Sequence, residues 1–329
     1  LRVYQGFDPS TPNLHIGHMI GLRKLRDWQN LGHEVIFLIG DFTGRIGDPT
    51  GKEESRPVLS KEVVDKNAKT YKSQASRILR FDGKNPVKIK FNSEWLDKLS
   101  LPDIFNIASQ VTHQQVIKRD MYQKRIRAGI DISINEVLYP IMQGYDSVAM
   151  DIDVEIGGSD QLFNMLMGRD LMHKMKRKNK FVMTTQLLTN AQGNKIGKTT
   201  GNALFLNATA KNLFGGIMSF PDEVLTLSFE LLTKIPMEKV TEVKERLESG
   251  ENPMLLKKEL AHQIVTELHG EDEANKAQEE FERVHQQNQN PIYDILIYHI
   301  HDDENIIDVL VNSKLVSSRS EAKRLIEQK

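Results

Sequence analysis

The sequence predicts an α/β protein: a doubly wound parallel sheet with a helical insertion, then an all-α region, then a small terminal domain cut short. Three observations carry this. Residues 3–19, V-Y-Q-G-F-D-P-S-T-P-N-L-H-I-G-H-M, read as a strand, a turn-rich loop and a helix start. A near-continuous apolar run at 34–40, E-V-I-F-L-I-G, suits a strand covered on both faces. Strand, helix and strand at this spacing make a right-handed crossover. After about residue 208 the chain turns to consecutive Glu- and Lys-rich helices.

Composition bounds the function. A chain of 329 residues is long enough for two domains or more. Its apolar fraction of 39% and charged fraction of 27% are those of a soluble globular protein. A net charge of −1 gives no bulk attraction to nucleic acid, so such binding must use local patches. The absence of cysteine excludes disulfides, thiolate catalysis and cysteine zinc sites, and points to an intracellular, cytoplasmic setting. No apolar run approaches roughly 20 residues and no signal peptide is visible, so no membrane role is expected. The chain starts at Leu1, which reads as a trimmed N-terminus.

The first loop, 8–13, holds two prolines and an Asn, which forbid regular structure. Helical spacing then begins at His15, with Ile16, Met19, Ile20 and Leu22 apolar and Gly32 a stop. A strand feeding a helix aims free N–H groups and a positive dipole end at the strand's C-terminal edge, where an anion is welcome. His15 and His18 share a face there, and Gly17 allows close backbone approach. A bare H-x-x-H is more often a surface pair, and zinc lacks a third ligand. A second phosphate-binding candidate far downstream favours the anion.

Residues 41–56, D-F-T-G-R-I-G-D-P-T-G-K-E-E-S-R, read as a long glycine-bearing loop. Asp48 could receive an ammonium group, and Lys52 and Arg56 are cations on a candidate lid. Residues 60–80 read as a helix with a basic face, and 87–91 as a strand ended by Asn92. Residues 102–128 read as cation-rich helices whose charges are solvated by default. Ser133 and Glu136 form a capping box. The helix that follows places Tyr139, Gln143 and Asp146 on one face. That face is polar within an apolar segment, which calls for internal partners or a polar ligand.

At 153–161, D-V-E-I-G-G-S-D-Q makes a second strand-to-helix crevice. Asp160 could accept from ribose hydroxyls there. The helix ends in H-K-M-K-R-K-N-K at 173–180, a cluster either solvated or facing nucleic-acid phosphates. Residues 190–202, N-A-Q-G-N-K-I-G-K-T-T-G-N, place Lys195, Lys198 and Thr199 on one loop, suited to a polyphosphate leaving group. The G-x-x-x-x-G-K-[ST] pattern is absent. Asn252, Pro253 and Gly270 bracket one of the later helices. A polar segment at 286–291 reads as a linker, and two short helices with a basic face close the chain.

H-I-G-H at 15–18 and K-I-G-K-T at 195–199 are similar to the two signature sequences of class I aminoacyl-tRNA synthetases. Y-x-G-F-D-P-S at 4–10, T-G-R-I-G-D-P-T-G-K at 43–52, L-Y-P-I-M-Q-G-Y-D at 138–146 and I-G-G-S-D-Q at 156–161 resemble the bacterial and organellar tyrosyl family. The motifs stand in family order and the resemblance covers essentially the whole chain. It departs in reading K-I-G-K-T for K-M-S-K-S and in lacking the family's leading segment.

The resemblance implies a Rossmann-like catalytic domain over 1–208, with a helical insertion and dimer interface at about 92–150. A helical tRNA-binding domain over 209–289 and a linker over 290–303 follow. The start of a small RNA-binding domain occupies 304–329. It implies ATP-dependent activation of L-tyrosine to tyrosyl-adenylate, then transfer to the 3′-terminal adenosine of tRNA(Tyr), by a homodimer. Magnesium accompanies the ATP, and no protein metal site is implied. His15, His18, Lys195, Lys198, Thr199, Lys52 and Arg56 would act on the phosphates. Gly6, Asp8, Ser10, Gly17, Gly158 and Asp160 would hold the nucleotide with them. Tyr139, Gln143 and Asp48 would hold the substrate ammonium. Tyr4 and Asp146 would bond the phenol hydroxyl, with Asn92 and Gln161 nearby. The rival readings are a tryptophanyl enzyme, a nucleotidyltransferase on the same fold, and an RNA-binding or splicing factor derived from a synthetase.

Overall fold

The computed structural model describes residues 1–50, 58–190, 192–197, 203–287, 298–300 and 304–327. Lys52, Arg56, Lys198 and Thr199 lie outside the described residues, as does most of the expected linker. Among the described residues, five parallel strands form one sheet: β1 (Arg2–Phe7), β2 (Glu34–Ile39), β3 (Lys88–Phe91), β4 (Val154–Gly158) and β5 (Phe181–Thr185). Their order is β3-β2-β1-β4-β5. β1 pairs with β2 along its length and with β4 at Val3 and Tyr4. The winding therefore reverses between β1 and β4, and a crevice opens beyond the C-terminal ends of those strands.

The expected burial explains the central strands. Residues 35–39 are at most 1% exposed, as a strand covered on both faces requires. Helix Ile16–Asn30 covers the sheet with Ile16, Met19, Ile20, Leu22 and Leu25 buried. Gly32, at φ +83°, turns the chain back toward β2. β5 is the strand that periodicity misses. It is short, half-exposed and on the sheet edge, directly after a basic run.

Three readings need correction. The stretch 60–80 is not one helix but Lys61–Ala68 and Tyr71–Ala75. The 41–56 loop contains a helical turn, Thr43–Ile46. Between β3 and β4 the insertion runs through Ser93–Leu96, Leu101–Ala108, His113–Ile117, Asp120–Arg127 and the long helix Ile134–Met150. Its core gathers Leu96, Ile107, Val116, Tyr122, Ile141 and Leu171. Arg125, expected among solvated cations, is instead buried and ion-paired with Glu136 at 2.6 Å. Glu136 also accepts from the Ser133 N–H at 3.2 Å, so the capping residue doubles as a counter-ion.

Helix Leu162–Lys176 packs against Ile134–Met150 closely enough that glycine is needed on both. A Cβ on Gly144 would stand 3.1 Å from the Gly168 backbone nitrogen. Beyond the sheet come helices Ala210–Met218, Leu225–Leu232, Met237–Glu248, Pro253–His269 and Glu271–Phe281. Asn252 Oδ1 accepts from the Met254 N–H at 3.0 Å and Gly270 ends that helix at φ +96°. An Arg23–Glu267 ion pair joins the first helix to Pro253–His269.

The chain divides into two compact units, Leu1–Ala277 and Gln278–Lys329. In the second, Asn305 Oδ1 caps helix Ile306–Asn312 by accepting from Ile307 N and Asp308 N. Asp308 pairs with Arg319 at the start of helix Arg319–Glu327. Among the described residues, no helix is long and apolar enough to cross a membrane.

Candidate active site

A cavity of about 250 Å³ fills the crevice between β1 and β4. Its walls bring together residues far apart in sequence: Tyr4, Gly6 and Asp8 from β1 and its loop; His15, Gly17 and His18 from the first helix; Asp48; Tyr139, Gln143 and Asp146; Gly158, Asp160 and Gln161; and Lys195. Almost every described residue that the sequence singles out is here. Ser10 is exposed and off the cavity wall. Asn92 is fully buried behind it.

At the open end, the two histidines build the start of their helix. His15 is the N-cap, and its Nδ1 accepts from the Gly17 N–H at 3.1 Å. His18 Nδ1 accepts from the His15 N–H at 3.0 Å, and the rings stack at 3.8 Å. Both Nδ1 atoms accept, so each neutral imidazole carries its proton on Nε2, as a donor. A Cβ on Gly17 would press within 3.0 Å of the His15 ring. The helix start thus offers positive dipole and N–H donors together.

The downstream loop folds onto this same end. Ile16 N donates to Leu204 O at 2.7 Å, and Leu206 N to Leu14 O at 2.8 Å. Gly197, at φ +72°, sits where a Cβ would strike Ile16. Lys195 Nζ donates to Asp160 Oδ2 at 2.6 Å, and Gly158 leaves space for that carboxylate. The structure therefore joins H-I-G-H to K-I-G across about 180 residues of chain.

The middle is a mesh of amides and carboxylates. Tyr139 Oη donates to Asp8 Oδ2 at 2.7 Å, and Thr43 Oγ1 donates to Asp8 Oδ1 at 2.7 Å. Gln161 Nε2 donates to Asp48 Oδ2 at 2.7 Å. Buried Asn164 ties Gln143 and Gln161 together, donating to both at 3.0 and 2.9 Å. Burial, then Asp8 and Asp48, push the Tyr139 phenol well above its usual range, so it stays a donor. Two carboxylates facing one half-open cavity suit an ammonium ligand.

The deep end is sealed. Tyr4 is 1% exposed and Asp146 2%. Asp146 accepts from Trp95 Nε1 at 2.8 Å and Asn92 Nδ2 at 3.2 Å, one donor on each oxygen. Burial still pushes its carboxyl well up, against those two hydrogen bonds. Burial, then Glu155 and Asp146, push the Tyr4 phenol well up. Tyr4 Oη lies 3.0 Å from Ser147 Oγ. Behind them Lys180 is wholly buried against Glu155 and donates to Ser147 Oγ at 2.8 Å. Lys180 stood in the basic 173–180 cluster, expected to be solvated or to face phosphates; the structure turns it inward. Lys178 likewise pairs with Asp153 at 2.7 Å. Trp95, Ser147 and Asn164 escape sequence reading because nothing in their local strings is unusual, and Glu155 and Lys180 because the strings that hold them point to other roles.

A parallel sheet with this switch point brings a helix start with free N–H donors and a buried polar floor to one cavity, the place where open α/β sheets bind ligands. The family model described as tRNA synthetases class I (W and Y) matches residues 1–286, and the chain belongs to that family. It is 45% identical to a tyrosine–tRNA ligase of Thermotoga maritima, over all of this chain and 81% of that one. It is 44% identical to another of Geobacter metallireducens, over all of this chain and 82% of that one. Among solved structures, a mitochondrial tyrosyl-tRNA synthetase of Coccidioides posadasii superposes with a TM-score of 0.69 at 25% identity, covering 85% of this chain and 83% of that one.

Proposed function

We propose that this chain activates L-tyrosine with ATP and transfers it to the 3′-terminal adenosine of tRNA(Tyr). One observation carries the choice of amino acid: Tyr4 and Asp146, both nearly inaccessible, line the deep end of the cavity that the His15–His18 helix start opens. A buried pair built to bond a hydroxyl rejects an analogue without one, because its polar groups lose their partner. The tyrosyl enzymes are the established example of that rule. The 44–45% identity with tyrosine–tRNA ligases over the full chain supports the same reading.

In the first step a tyrosine carboxylate oxygen attacks the α-phosphorus of magnesium-ATP. The new oxygen–phosphorus bond forms as the bond to the β-phosphate oxygen breaks, and pyrophosphate leaves. In the second, a hydroxyl of the tRNA terminal ribose attacks the mixed-anhydride carbonyl and AMP leaves. Neither step needs a covalent enzyme intermediate, so positioning and charge stabilisation carry the catalysis. Asp48, Tyr139 and Gln143 hold the ammonium group, with Asp8 fixing Tyr139. His15 and His18 donate to phosphate oxygens at the helix start. Lys195 and, by family resemblance, Lys198, Thr199, Lys52 and Arg56 neutralise the departing pyrophosphate. Asp160, released from Lys195, accepts from the ribose. Asn92 holds Asp146 in place.

The same reading makes the protein a cytoplasmic homodimer joined through the insertion at about 92–150. Leu101, Phe105, Ile126 and Ile134 support this, being 50–75% exposed there. It also assigns the helices beyond 209 and the terminal unit to tRNA.

The test is amino-acid-dependent exchange of pyrophosphate into ATP, offering tyrosine, phenylalanine and tryptophan separately. Exchange with tyrosine alone is expected. Exchange with tryptophan, or with none of them in a protein that binds ATP, overturns the reading.

A further inference from the structure

The floor of the cavity rests on a buried ion pair that the chemistry of activation does not use. Lys180 reaches it from the start of β5, Glu155 from β4 and Ser147 from helix Ile134–Met150. Each is at most 2% exposed. Gly168 of helix Leu162–Lys176 makes the room. A Cβ there would lie 2.5 Å from Lys180 Nζ, 3.0 Å from Ser147 Oγ and 3.3 Å from Glu155 Oε2. Burying an ion pair is costly beside packing the same space with apolar side chains. A structural role alone does not explain why the pair ends on the hydroxyl that touches Tyr4.

The contacts around Ser147 supply the reason. An ammonium group only donates, and a carboxylate only accepts. Lys180 donates to Ser147 Oγ at 2.8 Å and to Glu155. Ser147 keeps one proton, with Tyr4 Oη at 3.0 Å and the already engaged Glu155 oxygen at 3.3 Å. Ser147 Oγ, held by Lys180 and Glu155, in turn fixes the Tyr4 hydroxyl at the cavity floor. Asp146 lines the same cavity, its two oxygens already receiving Trp95 and Asn92. A ligand hydroxyl that both donates and accepts can bond the two together. A phenol hydroxyl is such a group.

We propose that Lys180 is a positioning residue for substrate selection: through Ser147 and Glu155 it fixes the Tyr4 hydroxyl that, on the reading above, meets the substrate hydroxyl. Glu155 is the counter-ion that keeps the buried ammonium in place. The proposal rests on the tyrosine reading above and adds residues outside the substrate's own contacts.

The experiment is pyrophosphate exchange by the full chain with tyrosine and with phenylalanine, comparing Lys180→Met, Ser147→Ala, and each combined with Tyr4→Phe. Lys180→Met is expected to lower kcat/KM for tyrosine about tenfold, and that for phenylalanine by less than about threefold. Ser147→Ala cuts the same link without unpairing Glu155 and is expected to do likewise; it decides the matter if the Lys180 variant does not fold. In the Tyr4→Phe background either change is expected to move the tyrosine-to-phenylalanine ratio by less than about twofold, because the link is already broken. Equal losses on both amino acids, or the full ratio change persisting in the Tyr4→Phe background, overturn the proposal. An unsubstituted chain with no tyrosine exchange overturns the reading beneath it, and the proposal with it.

Discussion

The two ends of the cavity are built from different materials. The open end is mostly backbone: a helix start capped by His15 and His18, with Gly17, Gly158 and Gly197 giving space. Among the described residues its side-chain cation is Lys195, 41% exposed. The deep end is mostly buried side chain, with Tyr4, Asn92, Asp146, Ser147, Glu155 and Lys180 all nearly inaccessible. A phosphate is large, highly charged and alike in every reaction of this kind, so dipoles and cations suffice for it. One hydroxyl on an otherwise apolar ring must be told from none, and that takes dry, fixed, fully partnered groups. On the proposed function, the contrast gives rate to one end and choice of amino acid to the other.

Substitutions can break that division or sharpen it. The largest effect is expected from Asp146→Asn, which puts an amide donor where two donors already converge. Tyrosine kcat/KM should fall about 10³-fold with ATP affinity little changed, as exchange kinetics would show. Next is Lys195→Ala, expected to lower the rate constant of adenylate formation about 10²-fold with little change in tyrosine affinity. Single-turnover kinetics separates the two quantities, and a loss confined to tyrosine affinity would place Lys195 at the wrong end. Tyr4→Phe removes one partner and leaves Asp146; it should narrow the tyrosine-to-phenylalanine ratio about tenfold.

The smallest effect is a displacement in pH. Burial raises the Asp146 carboxyl, so as pH falls it takes up its proton earlier than an ordinary aspartate and ceases to be a pure acceptor. Tyrosine kcat/KM should therefore fall on the acid side at a pH above the usual carboxylate range. Phenylalanine kcat/KM should lack that limb, and its presence for both amino acids would tie it to another group.

How far the sequence reveals these ends follows from the same contrast. The open end is legible because its chemistry is local in sequence: a loop and helix start around H-I-G-H, and a glycine loop around K-I-G-K-T. The central strands are legible because burial on both faces leaves continuous apolar runs. The deep end is assembled from single residues on β1, on β4, just before β5, at the start of helix Ser93–Leu96 and on helix Ile134–Met150. Tyr4 and Asp146 enter the phenol site through family resemblance rather than through spacing. Lys180 is the sharpest case. It sits last in a run of basic residues that reads as surface, and only the turn into β5 buries its ammonium. β5 itself was hidden by its short, half-exposed edge position. Arg125 shows the same limit, since Glu136 lies eleven residues away and only the fold brings them together.

The division of labour is tested most directly by one ratio. Pyrophosphate exchange would be measured with tyrosine and with phenylalanine on the unsubstituted chain, Asp146→Asn and Lys195→Ala. The account predicts that Asp146→Asn collapses the preference for tyrosine, whereas Lys195→Ala slows both amino acids together and leaves the preference intact. A preference that survives Asp146→Asn, or one that falls equally in both variants, would contradict it.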